Sequence, residues 1–293
     1  MPLPDSIRNS KMLRRPLLAA SRFLFSLLKT GPGLLRRAAY DAMPVPYLVA
    51  GHSEHFVVST ADKVIGRELF LHGEFDFAKL QTALAIIERE GLPLPQHLID
   101  VGANIGSIVI PALARGLMQS ATAIEPHPTN LRLLRANLAL NGLSERVRVL
   151  AQAVGAESNA LLFLTESSTN SGNHSIGRTG LPVPSLRLDD VECPHESALL
   201  WMDVEGYEGH ALRGAPNLLA TGMPVVCEYN TGYLERSGGM DWFRQALAGR
   251  RVFDLKHGMQ ATEISLDELA AHYPVGHEFT DILAVSSRVE QPA

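Results

Sequence analysis

Hydrophobic spacing divides the chain near residue 96. From Gln96 onward, short apolar runs alternate with stretches of helical spacing, the pattern of a parallel sheet with helices on both faces. The runs are His97–Val101, Ala121–Glu125, Val147–Val154, Ala198–Asp203, Pro224–Tyr229, Arg251–Leu255 and Asp281–Val285. Between them the spacing predicts helices from about Gly106, after Pro128, from Glu208 and over Met240–Ala248. The second of these carries Leu131, Leu134 and Leu138 as an apolar stripe and ends at Asn141-Gly142. Before residue 96 the rhythm differs. His55–Thr60 and Val64–Leu71 read as strands, and Phe77–Glu90 as a helix with Leu80, Leu84 and Ile87 inward, closed by Gly91 and Pro93. The expected architecture is a doubly wound, Rossmann-like α/β domain over 96–293, preceded by a lead-in cap over 45–95.

Residues 1–44 read as a basic N-terminal extension. The run Pro16 to Leu28 is apolar but interrupted by Arg22, and it is too short to span a bilayer, which takes about 20 apolar residues. Arg15, Arg22 and Lys29 recur every seven residues, so one helix would place them on nearly one face, ended by Gly31-Pro32-Gly33. Three expectations stand for residues 8–37: peripheral contact with anionic lipid, packing on the body of the protein or a partner subunit, or a poorly ordered extension.

Charge sharpens this contrast. The net charge is −5, yet residues 1–40 hold eight of the 26 Lys and Arg against one acid, Asp5, leaving 18 basic against 30 acidic residues elsewhere. That body lacks the basic balance expected of a nucleic-acid binder. Cys193 and Cys227 form neither a disulfide framework nor a zinc spacing. A reducing cytoplasm is expected, with peripheral contact to the inner membrane face if the extension binds lipid.

The residues that could carry chemistry fall at strand ends, where open α/β sheets bind ligands. In HLIDVGANIG (97–106) an apolar strand ends in Asp100 and enters a loop with Gly102, Asn104 and Gly106. The glycines are expected to let a ligand approach the backbone. The loop lacks the third glycine of G-x-G-x-x-G, which disfavours a dinucleotide and suits a nucleoside without pyrophosphate. Glu125, 25 residues after Asp100 at the next strand end, can accept both hydrogen bonds of a ribose diol. Asp203 and Glu205 follow a buried strand in WMDVEGYEG. Such acids can face a cationic centre, hold a metal or act as a base. Asp203, Glu228 and Asn230 offer oxygen ligands to Mg2+, but isolated acids at strand ends are common and a metal is the less favoured reading. His174 lies in a polar stretch, 165–180, that is either a surface loop or a cover over the binding face, and its imidazole could take a proton from a hydroxyl.

DVGANIG (100–106), IEPHPTNLRLLRANLALNG (124–142), SLRLDD (185–190) and MDVEGYEGHALRGA (202–215) together resemble the FkbM-type S-adenosylmethionine-dependent methyltransferases. The first motif is general to many methyltransferases; the last, preceded by a leucine-aspartate pair, is more specific. The resemblance implies a seven-stranded sheet with an antiparallel last strand. It also implies a cofactor pocket shaped by Asp100, Gly102, Asn104 and Gly106, with Glu125 on the ribose hydroxyls and Gln152 to Val154 beside adenine. At Ala153 this chain lacks the acid that many methyltransferases carry. Asp203 and Glu205 match the acidic segment near the transferred methyl. The implied reaction is O-methylation of a sugar, glycan or polyketide-type hydroxyl, with Asp203, Glu205 and His174 as candidate catalytic residues and Asp203 also beside the sulfonium. Two alternatives stand beside it: an amine or carboxylate acceptor, and a non-catalytic membrane-associated protein with a vestigial pocket. No partner beyond the acceptor is implied, and the oligomeric state is not legible.

Overall fold

The computed structural model describes residues 15, 16, 18–20, 22–24, 26 and 31–287. Its centre is one large sheet. β3 (His97–Val101) is buried along its whole length and pairs in parallel with β4 (Ser120–Ile124) on one side and β10 (Ala198–Met202) on the other. β5 (Val147–Leu150) extends the sheet beyond β4, and β11 (Val225–Tyr229) beyond β10. β14 (Thr280–Val285) inserts antiparallel between β11 and β12 (Arg251–Asp254), and the two-residue β13 (Glu263–Ile264) adds a short edge. The seven expected strands are thus present, with β13 as an eighth.

Alternation along the central strands assigns their faces, because successive side chains leave a strand on opposite sides. Leu98 and Trp201 join one apolar cluster, while Ile99, Val101, Leu200 and Met202 join the other. Helices cover both faces. α4 (Val109–Ala114) follows β3, α5 (Pro128–Leu140) follows β4, and α6 (Glu208–Arg213) follows β10. α5 starts with Pro128 at its first turn and buries Leu131, Leu134 and Leu138, as its spacing predicts. α7 (Pro216–Ala220), α8 (Thr231–Ser237) and α9 (Met240–Leu247) follow, and α10 (Leu266–His272) begins with a capping box from Ser265 and Glu268.

The run Val147–Val154 is not one strand. It splits into β5 and β6 (Ala153–Val154), and β6 belongs to a separate four-stranded sheet with β7 (Leu161–Thr165), β8 (Ser175–Gly177) and β9 (Leu181–Leu186). The polar stretch 165–180 runs from the last residue of β7 through the connection to β8, the whole of β8 and the turn into β9.

The N-terminal part packs on this body. α1 (Gly33–Asp41) is fastened by Arg36, which donates to the carbonyls of Phe70 and Leu71. β1 (Tyr47–Gly51) and β2 (His55–Ser59) form a hairpin. Val64–Leu71, expected as a strand, is instead α2 (Ile65–His72). Its β-branched and aromatic residues suggested a strand, but Asp62 decides the local conformation: Oδ1 accepts from the Val64 amide and Oδ2 from the Gly66 amide, satisfying helix-start donors. Gly73, in left-handed backbone, ends the helix. α3 (Phe77–Arg89) buries Leu80 and Ile87 as expected. The hairpin is held by Asn137 of α5 and Asn141 just past its end: Asn141 and Asn137 accept the amides of His55 and Val57 at 3.0 and 2.6 Å. Asn137, fully buried, also donates to the Ile105 carbonyl, so one side chain ties the hairpin to the loop after β3.

Arg15 and Arg22 lie on helical, exposed residues, as do Leu18, Phe23 and Leu24; Lys29 lies outside the described residues. No helix among the described residues is long and apolar enough to cross a membrane.

Candidate active site

The chain order reverses direction across the sheet between β3 and β10, and a cavity opens beyond the strand ends there. Asp100, Gly102, Asn104, Glu125, Ala153 and Asp203, all expected at a cofactor site, line it. His174 also lines it. Gly106 does not. A Cβ at Gly106 would lie 2.7 Å from Ile110 Cδ1, so this glycine admits the following helix rather than a ligand. Gly102 has φ +82°, and a Cβ there would lie 2.0 Å from the Asp203 carbonyl oxygen. Its bare Cα brings the loop after β3 against the segment after β10.

Glu125 is 4 % exposed, and its two oxygens have separate partners: Oε2 accepts from the Asn104 amide at 2.9 Å, Oε1 from the His127 amide at 2.7 Å. It thereby braces the glycine loop, in which Asn104 is held at φ +51°. The Asn130 side chain donates to the same carboxylate, leaving fewer lone pairs for a ligand. Burial raises the Glu125 carboxyl to about 7 despite these amides. Asp100 is also raised to about 7, by burial and secondarily by Asp203 and Glu125. Its Oδ2 is buried without a partner. An orphaned carboxylate oxygen in a cavity wall calls for a cationic or hydrogen-bonding ligand, which fits a cofactor carrying an ammonium group.

The acidic segment after β10 is shaped by an unusual turn. Glu205 and Gly206 both lie in left-handed backbone, at φ +54° and +90°. A Cβ at Gly206 would stand 2.5 Å from Tyr233 Cβ, so glycine is needed for the turn to seat on α8. Glu208 closes the turn: its Oε1 accepts from the amides of Val204 and Gly206 at 3.1 and 3.3 Å. The spacing of E-G-x-E therefore has a local purpose that sequence reasoning missed. The turn aims Asp203 and Glu205 at Glu228, the three offering ligand oxygens within 4.8 Å of one another. Asn230, expected in that group, is used otherwise, since its Oδ1 accepts from the Tyr233 amide as the cap of α8.

This cluster is crowded with acid. Burial and then Asp203 and Glu208 push Glu205 up to about 8. Burial and the neighbouring carboxylates also raise Asp203 and Glu228, so the cluster retains protons where ordinary carboxylates would not. The nearby cation is Lys79, which bridges Asp76 at 2.9 Å and Asp281 at 2.5 Å.

His174 is held differently from a free base. Its Nδ1 accepts the Ser167 amide at 3.0 Å, so the neutral ring carries its proton on Nε2. Burial, then the neighbouring His127, lower its proton affinity. It packs against His127 with ring centroids 4.3 Å apart, and His127 Nε2 meets Glu166 Oε1 at 2.8 Å. The arrangement offers a hydrogen-bond donor at Nε2, not the expected proton acceptor.

Several lining residues escaped the sequence reading: Phe75 and Asp76 from the cap, Ser107, Asn130, Ser171 and Tyr207. Ser171 fastens the polar loop over the cavity. Its hydroxyl donates to Asp62 Oδ2 at 2.7 Å, with Asn104 Oδ1 3.2 Å away, and its carbonyl accepts from Asn130. No local pattern marks this contact, because its partners come from three distant segments.

The family described as Methyltransferase FkbM domain matches residues 100–284. No protein of curated function matches the sequence. Among solved structures, TYW2 from M. jannaschii in complex with AdoMet is similar at 13% identity and TM-score 0.42, over 83% of this chain and 87% of that one. A precorrin-6y C5,15-methyltransferase from Geobacter metallireducens has 15% identity and TM-score 0.37, over 71% and 87%. An RNA methyltransferase from Salinibacter ruber in complex with S-adenosyl-L-homocysteine has 14% identity and TM-score 0.32, over 72% and 95%.

Proposed function

Because the chain belongs to the FkbM methyltransferase family, we propose that it transfers the methyl group of S-adenosylmethionine to a hydroxyl of a sugar, glycan or polyketide-type acceptor. The observation that carries this reading is the split between two sets of carboxylates: the buried Asp100 and Glu125 on the wall of the cavity, and the part-exposed Asp203 and Glu205 where the cavity meets the outer surface. S-adenosylmethionine supplies an already activated methyl group on a sulfonium, so the protein has mainly to align and deprotonate the acceptor.

Each side chain then has a distinct task. Glu125 presents its remaining lone pairs to the ribose diol. The orphaned Oδ2 of Asp100 faces the ammonium of the methionine part, directly or through water. Gln152 and Ala153 border the adenine. Asp203 keeps a negative or proton-sharing wall beside the sulfonium. Glu205 accepts the proton released from the acceptor hydroxyl, a role matched to its raised affinity. His174 donates from Nε2 and orients the bound molecules without removing a proton. Protons and Lys79, rather than a metal, balance the carboxylate cluster in this reading. Activity is therefore expected to survive exhaustive chelation with EDTA; loss restored by Mg2+ would assign Asp203, Glu205 and Glu228 to a metal instead. The same reading keeps the protein off nucleic acid, given its acidic body, and leaves the basic extension 8–37 to peripheral contact with anionic lipid, which would place the enzyme in the cytoplasm at the inner membrane face.

Calorimetric titration with S-adenosylmethionine tests the assignment. Wild type is expected to bind, and Glu125→Ala to bind about ten- to a hundredfold more weakly, the loss for hydrogen bonds to a charged group. No binding by wild type would leave a vestigial pocket as the better account.

A further inference from the structure

Beside the cofactor cavity lies a second depression that the assignments above leave without an occupant. It encloses about 250 Å3 between Asn173, Ser175 and Ile176 of the polar segment and Tyr233 and Arg236 of α8, with Glu205 in its wall. Ile176 lines both spaces. Asp203 of the cavity and Glu205 of the groove belong to the same carboxylate cluster. The groove and the cavity therefore share a wall.

Its charges are uneven. Arg236 is the cation of the groove, with its guanidinium carbon 4.7 Å from the Tyr233 ring centroid. Its Nε lies 3.5 Å from the Gly232 carbonyl. No carboxylate pairs with it among the described residues. Stacking fixes the plane of the guanidinium without consuming its terminal N–H donors, which suits a bidentate oxyanion. Glu205 in the groove wall belongs to a carboxylate cluster with Asp203 and Glu228, which disfavours an anion unless a cation holds it. Asn173 and Ser175 add neutral partners suited to sugar hydroxyls.

Building on the methyltransferase reading, we propose that this groove seats the acceptor and that Arg236 selects one bearing a carboxylate or phosphate, with the hydroxyl to be methylated turned toward Glu205. An acidic sugar meets both ends of the groove.

The test uses the full chain saturated with S-adenosylhomocysteine and three fluorescent probes sharing one aglycone: 4-methylumbelliferyl β-glucuronide, the 6-phospho-β-glucoside and the neutral β-glucoside. Fluorescence titration of wild type should show an acidic probe binding at least about tenfold tighter than the neutral one, the effect of one charge-assisted contact. Which acidic probe leads separates carboxylate from phosphate. The preference should vanish in Arg236→Gln and persist in part in Arg236→Lys. Equal affinity for all three probes, a preference that survives Arg236→Gln, or no binding of any probe overturns the proposal. Calorimetry of S-adenosylhomocysteine on the same samples keeps the two readings apart, since its failure to bind would count against the cofactor assignment, whereas normal binding with no acid preference would count against the groove alone.

Discussion

At the scale of single residues, the chemistry turns on where protons rest. Glu205 is held in left-handed backbone beside other buried acids, and its carboxyl is raised to about 8. A base must be ionised to act, so the methyl-transfer rate should climb from pH 6 and level off above about pH 8. A pH–rate profile flat across that range would remove Glu205 from the role. Glu205→Gln is expected to lower kcat by at least about a hundredfold with little change in S-adenosylmethionine affinity, the usual scale for losing a positioned base. His174→Ala should cost far less, because its Nδ1 lone pair is committed to the Ser167 amide. Glu208 acts through its neighbour. Glu208→Ala removes the acceptor for two turn amides and one of the charges that raise Glu205, and should lower kcat while moving the Glu205 inflection down toward the ordinary carboxylate range.

At the scale of elements, close contact between loops sets what substitution can do. The bare Cα of Gly102 lets two strand-end segments touch, and a methyl group there would occupy the Asp203 carbonyl. Gly102→Ala is expected to destabilise the fold by more than about 2 kcal/mol, combining left-handed strain with the clash, as read by denaturant titration. The same contact explains what the sequence could and could not show. Strands such as Ala198–Met202 were legible because burial on both faces leaves an uninterrupted apolar run. Asp100, Glu125 and Asp203 were legible because they end such runs. Val64–Leu71 was misread because composition favoured a strand, while a side chain two residues upstream, Asp62, caps a helix. Gly106 looked like a ligand contact because spacing says nothing of what fills the space above a glycine. Phe75, Asp76 and Ser171 were invisible because they reach the cavity only after the cap and the small sheet have docked.

At the scale of the whole molecule, the interior near the strand ends stores an excess of acid. Glu125, Glu205 and Glu208 have folded values of about 7, 8 and 7 against 4.5 unfolded, and Asp100 about 7 against 3.8. The folded chain therefore holds these protons after the unfolded chain has lost them. Their stabilising contribution is full below about pH 4, falls as pH rises, and is gone above about pH 8. The melting temperature of the ligand-free protein should accordingly drop between pH 5 and 8, on the order of 2–4 °C for each kcal/mol lost. A melting temperature constant or rising over that interval would contradict the buried assignments. The Ser171 fastening has a consequence of another kind. It joins the polar loop to Asp62 of the cap and lies beside Asn104 of the glycine loop in the wall of the inner cavity, while the lining of the proposed acceptor groove does not include Ser171. Exchange of the nucleoside then requires parting these segments, and exchange of the acceptor does not. Turnover should follow a compulsory sequence in which the methylated product departs first and S-adenosylhomocysteine last, so that S-adenosylhomocysteine competes with the methyl donor but not with the acceptor.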